Sequence, residues 1–268
     1  MRYYFKTICG RRETNQDSCL AEKIADDLYI FAVADGMGGN VGGERASKLA
    51  VEELHIMALS QANNIVLGNL TLKEFLRKAV EKIDKEIRVD WEHNPNFKGM
   101  GTTLTAVIVL ENTMAWVNIG DSRFYCHFDN CKTFEQKTKD HSLSMQMLEN
   151  NPDTSMEELM KSDNVITRVL SGMGDEADIY PKDKNFLEIP KNMTGIICSD
   201  GLILNKFEQP AYLDAFFSST NAIVPFVEKS VAHAFENGSN DNISMCVFSN
   251  VLKENTLLSK FKMQFANK

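Results

Sequence analysis

The chain has 268 residues, 43% of them hydrophobic, and no Pro/Gly/Ser-rich or single-sign stretch that reads as a linker, so one large domain over 1–250 with a short tail over 251–268 is expected. Acidic residues outnumber basic ones 37 to 29, and the formal net charge of -8 argues against a general affinity for nucleic acid or an anionic membrane and for a cation or a basic substrate. The six cysteines make no CxxC pair or zinc-ribbon spacing, and runs such as YIFAVA and TAVIVL fall far short of a membrane span, so reduced thiols, no membrane insertion and a cytoplasmic location are expected.

In chain order, the apolar run over 29–34 reads as a strand, and apolar residues at helical spacing predict a helix over 44–59 with Ala46, Leu49, Ala50, Leu54, Met57 and Ala58 on one stripe. A second helix opens with a capping box, Thr71 followed by Glu74, and buries Leu72, Phe75, Leu76, Ala79, Val80, Ile83 and Ile87. Runs over 103–110, 114–119 and 123–128 are rich in β-branched and aromatic residues and predict strands. Glu111-Asn112-Thr113 joins the first two as a tight hairpin, which makes the neighbours antiparallel. The stretch 142–192 is polar, Met- and Asn-rich, with short helical patterns only at 144–149 and 156–160; it reads as a mobile excursion. Two further strands, over 194–198 and 243–248, flank a third helix over 222–235 that ends before Gly238. Helices on both sides of a run of strands predict helices covering two packed sheets.

Four aspartates stand at the edges of these apolar runs: Asp35 after YIFAVA, Asp121 after WVNIG, Asp200 after GIICS and Asp241 before NISMCVF. Each alone reads equally well as a turn cap. Strand ends brought together, however, would place like charges within a few ångströms, and no Lys or Arg is interleaved densely enough with these motifs to neutralise four of them. Divalent cations are the economical answer, and all-oxygen ligation favours Mg²⁺ or Mn²⁺ over zinc. Gly36 directly after Asp35 leaves a backbone carbonyl accessible to an ion.

The residues then resemble a known family, the bacterial metal-dependent protein phosphatases of type 2C (PPM). The resemblance begins at Arg12-Glu13-Thr14-Asn15-Gln16-Asp17 and continues through Asp35-Gly36-Met37-Gly38-Gly39, Gly43-Glu44-Arg45-Ala46-Ser47 and Gly101-Thr102-Thr103. Gly120-Asp121-Ser122-Arg123, Asp140-His141-Ser142, Ile166-Thr167-Arg168, Ser199-Asp200-Gly201 and Asp241-Asn242-Ile243 follow in the family's order across nearly the whole chain. It implies an α+β fold, a four-layer αββα sandwich of two antiparallel sheets flanked by helices, with 142–192 as a flap near the metal site. It also implies that Asp35 bridges two ions, that the Gly36 carbonyl ligates one of them, and that Asp200 and Asp241 complete the other, with Asp17 in support. Asp121 with Asp200 resembles the pair that holds a third, weaker ion in bacterial members, and Arg12 the arginine that grips the substrate phosphate. Asp35 and Asp200, with Arg12, are then the catalytic group.

The activity so implied is hydrolysis of phosphoserine and phosphothreonine in proteins by metal-activated water, without a phosphoenzyme. No cysteine begins a CX5R loop and no DxD strand end suggests an aspartyl-phosphate. The expected partners are phosphorylated proteins and an opposing serine/threonine kinase, and a monomer is expected. Two departures stand out: Met37 occupies the place of a histidine proposed as general acid in animal relatives, which leaves that acid unassigned, and Gln16 replaces a common glutamate. A glycine-rich nucleotide loop is rejected because Val41 occupies the third glycine position, and His141 reads as a scaffold hydrogen-bonder. The competing reading is a non-catalytic phosphoprotein-binding module of the same fold, which usually loses the metal aspartates kept here.

Overall fold

The computed structural model describes residues 1–38, 42–128 and 131–254. Gly39 and Val41 of the glycine-rich turn, and the tail beyond 254, lie outside the described residues. The strands are β1 (Arg2–Ile8), β2 (Asp17–Ala25), β3 (Leu28–Met37), β4 (Gly101–Thr102), β5 (Leu104–Leu110), β6 (Thr113–Ile119), β7 (Arg123–Phe128), β8 (Glu135–Gln136), β9 (Asp178–Tyr180), β10 (Leu187–Glu188), β11 (Met193–Cys198) and β12 (Ile243–Ser249). The α-helices are α1 (Gly42–Val66), α2 (Leu72–His93), α3 (Leu143–Asn150), α4 (Met156–Ser162), α5 (Ala211–Ser219) and α6 (Ile223–Glu236). One sheet runs β1-β12-β11-β7-β8; the other runs β10-β6-β5-β3-β2, with β4 beside β3 and β9 beside β6. Every ladder between these strands is antiparallel.

The apolar runs without alternation belong to strands buried on both faces. In β3, Tyr29, Phe31 and Val33 face the opposite sheet, whereas Ile30, Ala32 and Ala34 pack with residues of α1 and α2. Phe31 stacks on Phe248 of β12 with 4.3 Å between ring centroids, which pins the two sheets face to face. On the far side, Ile196, Cys198, Met245 and Val247 pack against Phe226, Val227 and Val231 of α6. The result is four layers, helix, sheet, sheet, helix, as the residues foretell.

The differences have local causes. Helix α1 runs past position 59 to Val66 because Ala62 and Ile65 continue the buried stripe through a polar stretch. Strands β1 and β2 escape sequence reading because each is an outer strand of its sheet and only half buried. Nor is 142–192 a free excursion. Its second half adds strands to β6, with Tyr180 opposite Trp116 and Leu187 opposite Met114. In its first half, Leu143 N–H donates to Val165 O at 2.8 Å and Thr167 N–H to His141 O at 2.8 Å. Backbone pairing orders a segment whose side chains show no apolar period.

Candidate active site

Antiparallel pairing brings the aspartates to one edge of the sandwich. Asp17 opens β2 and Asp35 lies near the end of β3, and the two are direct partners in the ladder. Asp121 follows β6 through Gly120, whose φ of 101° suits glycine and where a Cβ would meet the Thr103 side chain at 2.5 Å. Asp200 follows β11 and Asp241 precedes β12; these strand ends are neighbours because Cys198 pairs with Met245. Asp35, Asp121, Asp200 and Asp241 line one cleft of about 640 Å³ with Arg12, Gly36 and Met37. Asp17 is buried beside it, 7% exposed.

Each carboxylate has its own support. The Asp35 backbone is locked by β5 and its approach: Asp35 N–H donates to Thr103 Oγ1 at 2.9 Å, and the Asp35 carbonyl accepts from Thr103 N–H at 2.8 Å and Thr102 Oγ1 at 3.0 Å. At Gly36 a Cβ would stand 2.0 Å from the Gly43 carbonyl oxygen and 2.7 Å from that of Gln16, so only glycine fits this crossing of chains. Asp17 Oδ2 accepts from Ser199 Oγ at 2.7 Å. Asp17 Oδ1 and Asp200 Oδ1 are buried without a hydrogen-bond partner. Asn242 clamps the loop that carries Arg12: its amide donates to the carbonyls of Cys9 at 2.9 Å and Thr14 at 2.8 Å, while its Oδ1 accepts from Gln16 N–H at 2.8 Å.

Burial is the main reason Asp17, Asp35 and Asp121 hold their protons more tightly than free carboxylic acids. It pushes Asp17 up to about 7, helped by Asp200 and Asp241 and opposed by bonds from Ser244 and Ser199. Burial and then Asp17, Asp200, Asp121 and Asp241 push Asp35 well above the usual carboxylate range. Asp121 rises to about 6 for the same first reason, with Asp200 adding to the rise and Lys206 resisting it. Two cations of the chain itself enter the cluster, too few to neutralise all of its aspartates: Lys206 Nζ lies 2.7 Å from Asp121 Oδ2 and 3.0 Å from Asp200 Oδ2, and Arg12 donates to Asp241 Oδ2 at 2.7 Å. Among the described residues, no three His, Cys, Asp or Glu side chains close around one point as an all-protein cage would. An edge of this kind suits ions that keep several waters, as Mg²⁺ does.

The sequence profile of the protein phosphatase 2C family matches residues 9–242. The chain belongs to the protein phosphatase 2C family. It is 31% identical over 267 residues to the serine/threonine phosphatase stp of Listeria welshimeri, covering 97% of this chain and 98% of that one. The crystal structure of the Mycobacterium tuberculosis serine/threonine phosphatase PstP/Ppp superimposes with a TM-score of 0.75 at 27% identity, over 94% of this chain and 99% of that one. The catalytic domain of PstP in complex with two manganese ions gives a TM-score of 0.77, again at 27% identity, over 94% of this chain and 98% of that one.

Against that family pattern, Arg12, Asp17, Asp35, Gly36, Asp121, Asp200 and Asp241 are all brought to one edge. What sequence reasoning missed are the residues that hold them. Ser199 and Asn242 sat inside quoted motifs but had no role until their partners were visible. Lys206 carried no signal at all, since nothing in the sequence Gly201-Leu202-Ile203-Leu204-Asn205 after Asp200 marks an ammonium that folds back. His141 is a scaffold residue as read: its Nδ1 accepts from Gly120 N–H at 3.1 Å, which leaves the proton on Nε2, 3.3 Å from Asp178 Oδ2. Arg123 and Asp140, both 3% exposed, form the buried ion pair behind Asp121.

Proposed function

We propose that this chain, a metal-dependent protein serine/threonine phosphatase, hydrolyses phosphoserine and phosphothreonine esters in the cleft lined by Asp35 and Asp200, with two divalent cations, Mn²⁺ or Mg²⁺, as cofactors. The observation that carries the reading is the pair of buried, unpartnered carboxylate oxygens, Asp17 Oδ1 and Asp200 Oδ1, at an edge where further aspartates converge. An anionic oxygen left so in a dry site is costly unless a cation meets it. The PstP catalytic domain, similar in fold and solved with two manganese ions, supports two divalent ions in this reading. Asp35, the Gly36 carbonyl, Asp200 and Asp241 would hold the two ions, with Asp17 in support. When bound, such ions lower the pKa of water and neutralise charge on the phosphoryl group.

The chain's own residues do the rest. Arg12, with its side chain 57% exposed at the cleft mouth, offers a planar fork of donors to two phosphate oxygens. The Asn242 clamp and the Asp241 contact fix where that fork stands. Among the described residues no cysteine lines the cleft, and burial pushes the thiol of nearby Cys198 up to about 12. Met37 lines the cleft and cannot donate a proton, so the leaving oxygen would have to take its proton from water, free or held at the metals. Asn164 and Ile166 of the 142–192 flap form one wall of the cleft, a position suited to reading the peptide around the phosphorylated residue. Phosphoproteins, an opposing kinase, a cytoplasmic location and a monomeric state belong to this reading. Among the described residues no helix is long and apolar enough to cross a membrane.

The decisive assay is manganese-dependent turnover of an aryl phosphate and a phosphothreonine peptide, with and without chelator. Turnover should require the metal. Asp35→Asn and Asp200→Asn should each lower kcat by about 100-fold or more with the fold intact, the scale of losing a positioned ligand worth several kcal/mol. A well-folded wild-type protein that binds phosphopeptide without turnover would favour the binding module. Exchanging the flap should shift peptide preference while sparing aryl phosphate turnover; equal loss of both would count against its assigned role.

A further inference from the structure

Asp121 and Asp200, the carboxylates that the family resemblance offers to a third cation, are already bridged by a side chain of this protein. Lys206 Nζ donates to Asp121 Oδ2 at 2.7 Å and stands 3.0 Å from Asp200 Oδ2 and 3.8 Å from Asp163 Oδ2. The lysine side chain is 9% exposed and that of Asp121 2% exposed. An ammonium carries three donors, and three carboxylates surround this one. A magnesium-like ion would need those same oxygens at about 2.1 Å, within the space the nitrogen fills. The third ion therefore does not fit the residues as they stand.

The lysine is also held from behind. Arg123 donates to the Lys206 carbonyl at 2.7 Å, and the guanidinium that does so is clamped by Asp140 at 2.6 and 3.0 Å. The backbone that projects the ammonium is thus tied to a buried ion pair, so the side chain starts from a fixed root. Asp163 follows directly after α4, within the 142–192 flap, and its other oxygen accepts from Ser144 Oγ at 3.1 Å. One ammonium thereby joins two strand-end aspartates to the flap.

We infer that Lys206 is a built-in cation that takes the place of a third metal ion, so that this phosphatase holds two divalent ions and fastens its flap with a charge of its own. The inference rests on the two-cation reading of the cleft. A covalently tethered charge differs from an exchangeable ion in one respect that can be measured: it does not depend on metal concentration.

The experiment is a count of Mn²⁺ bound per chain, by equilibrium dialysis and by anomalous diffraction, for wild type, Lys206→Met and Asp121→Asn. Methionine keeps the length of the stem and removes the charge. Wild type should bind two ions, Lys206→Met should gain a third, weaker one between Asp121 and Asp200, and Asp121→Asn should still bind two. Three ions in wild type, a folded Lys206→Met that binds only two, or the loss of an ion in Asp121→Asn would each overturn the inference. Should Lys206→Met fail to fold, the wild-type count and Asp121→Asn decide alone. Those outcomes leave the two-ion centre standing, whereas a wild type that binds no Mn²⁺ would sink that centre and this inference with it.

Discussion

Asp17 and Asp200 show why these residues cannot be understood singly. A buried carboxylate oxygen with no partner is a standing cost, and it makes the folded state a ligand trap. Binding to the native state alone stabilises it by RT ln(1 + [L]/Kd), about 2.7 kcal/mol at a hundredfold excess over Kd. Thermal melts should therefore shift upward with added Mn²⁺, and Asp200→Asn should blunt the shift; melts indifferent to Mn²⁺ would contradict the site. A second residue-scale expectation concerns His141, whose pKa burial lowers below 6.5 against the opposing pull of Asp178. The unfolded chain then takes up the proton first as pH falls. Stability from this residue is full above about 6.5 and declines as the pH drops toward the folded value. Denaturation series at pH 7.5 and 5.5 should show a smaller loss in His141→Gln than in wild type.

Among elements, α2 and the segment after β7 make a contrast. The capping box of α2 is written in four consecutive residues, and the structure has both of its bonds, Thr71 receiving the Glu74 N–H and Glu74 the Thr71 N–H. Thr71→Ala should cost about 1 kcal/mol in urea unfolding, without touching turnover. The segment after β7 is held instead by Arg123 and Asp140, seventeen positions apart and legible only as parts of separate motifs. Removing one partner of such a buried pair leaves the other uncompensated, so Asp140→Leu should cost about 3–5 kcal/mol. Unfolding energies within about 1 kcal/mol of wild type would mean that the pair is not as dry as it stands here.

At the scale of the molecule, the sandwich makes the site possible by turning each strand end into a wall of the same cleft. The core between the sheets is largely aromatic and aliphatic, with Phe31, Phe124 and Phe248 at its centre. Phe31→Ala should cost about 3–5 kcal/mol and, because Phe31 lies two turns of pleat from Asp35 on the same strand, should weaken Mn²⁺ binding as well. A purely local defect would lower stability and leave the metal affinity where it was.

The chain by itself determined the strands buried on both faces, the capped amphipathic helices and the acids at the run ends, because periodicity, capping and turn chemistry act over a few neighbouring residues. Asp35, Asp121, Asp200 and Asp241 were legible for that reason, and so was the layered fold. Only the tertiary structure decided that Lys206 would return to Asp121 and Asp200, that Ser199 would take Asp17, and that a polar flap would be ordered by backbone pairs. Outer strands β1 and β2 stayed hidden because half-buried strands carry a weak pattern. A charge meeting its partner across the fold depends on where two distant loops are carried, and no local rule along the sequence encodes that distance.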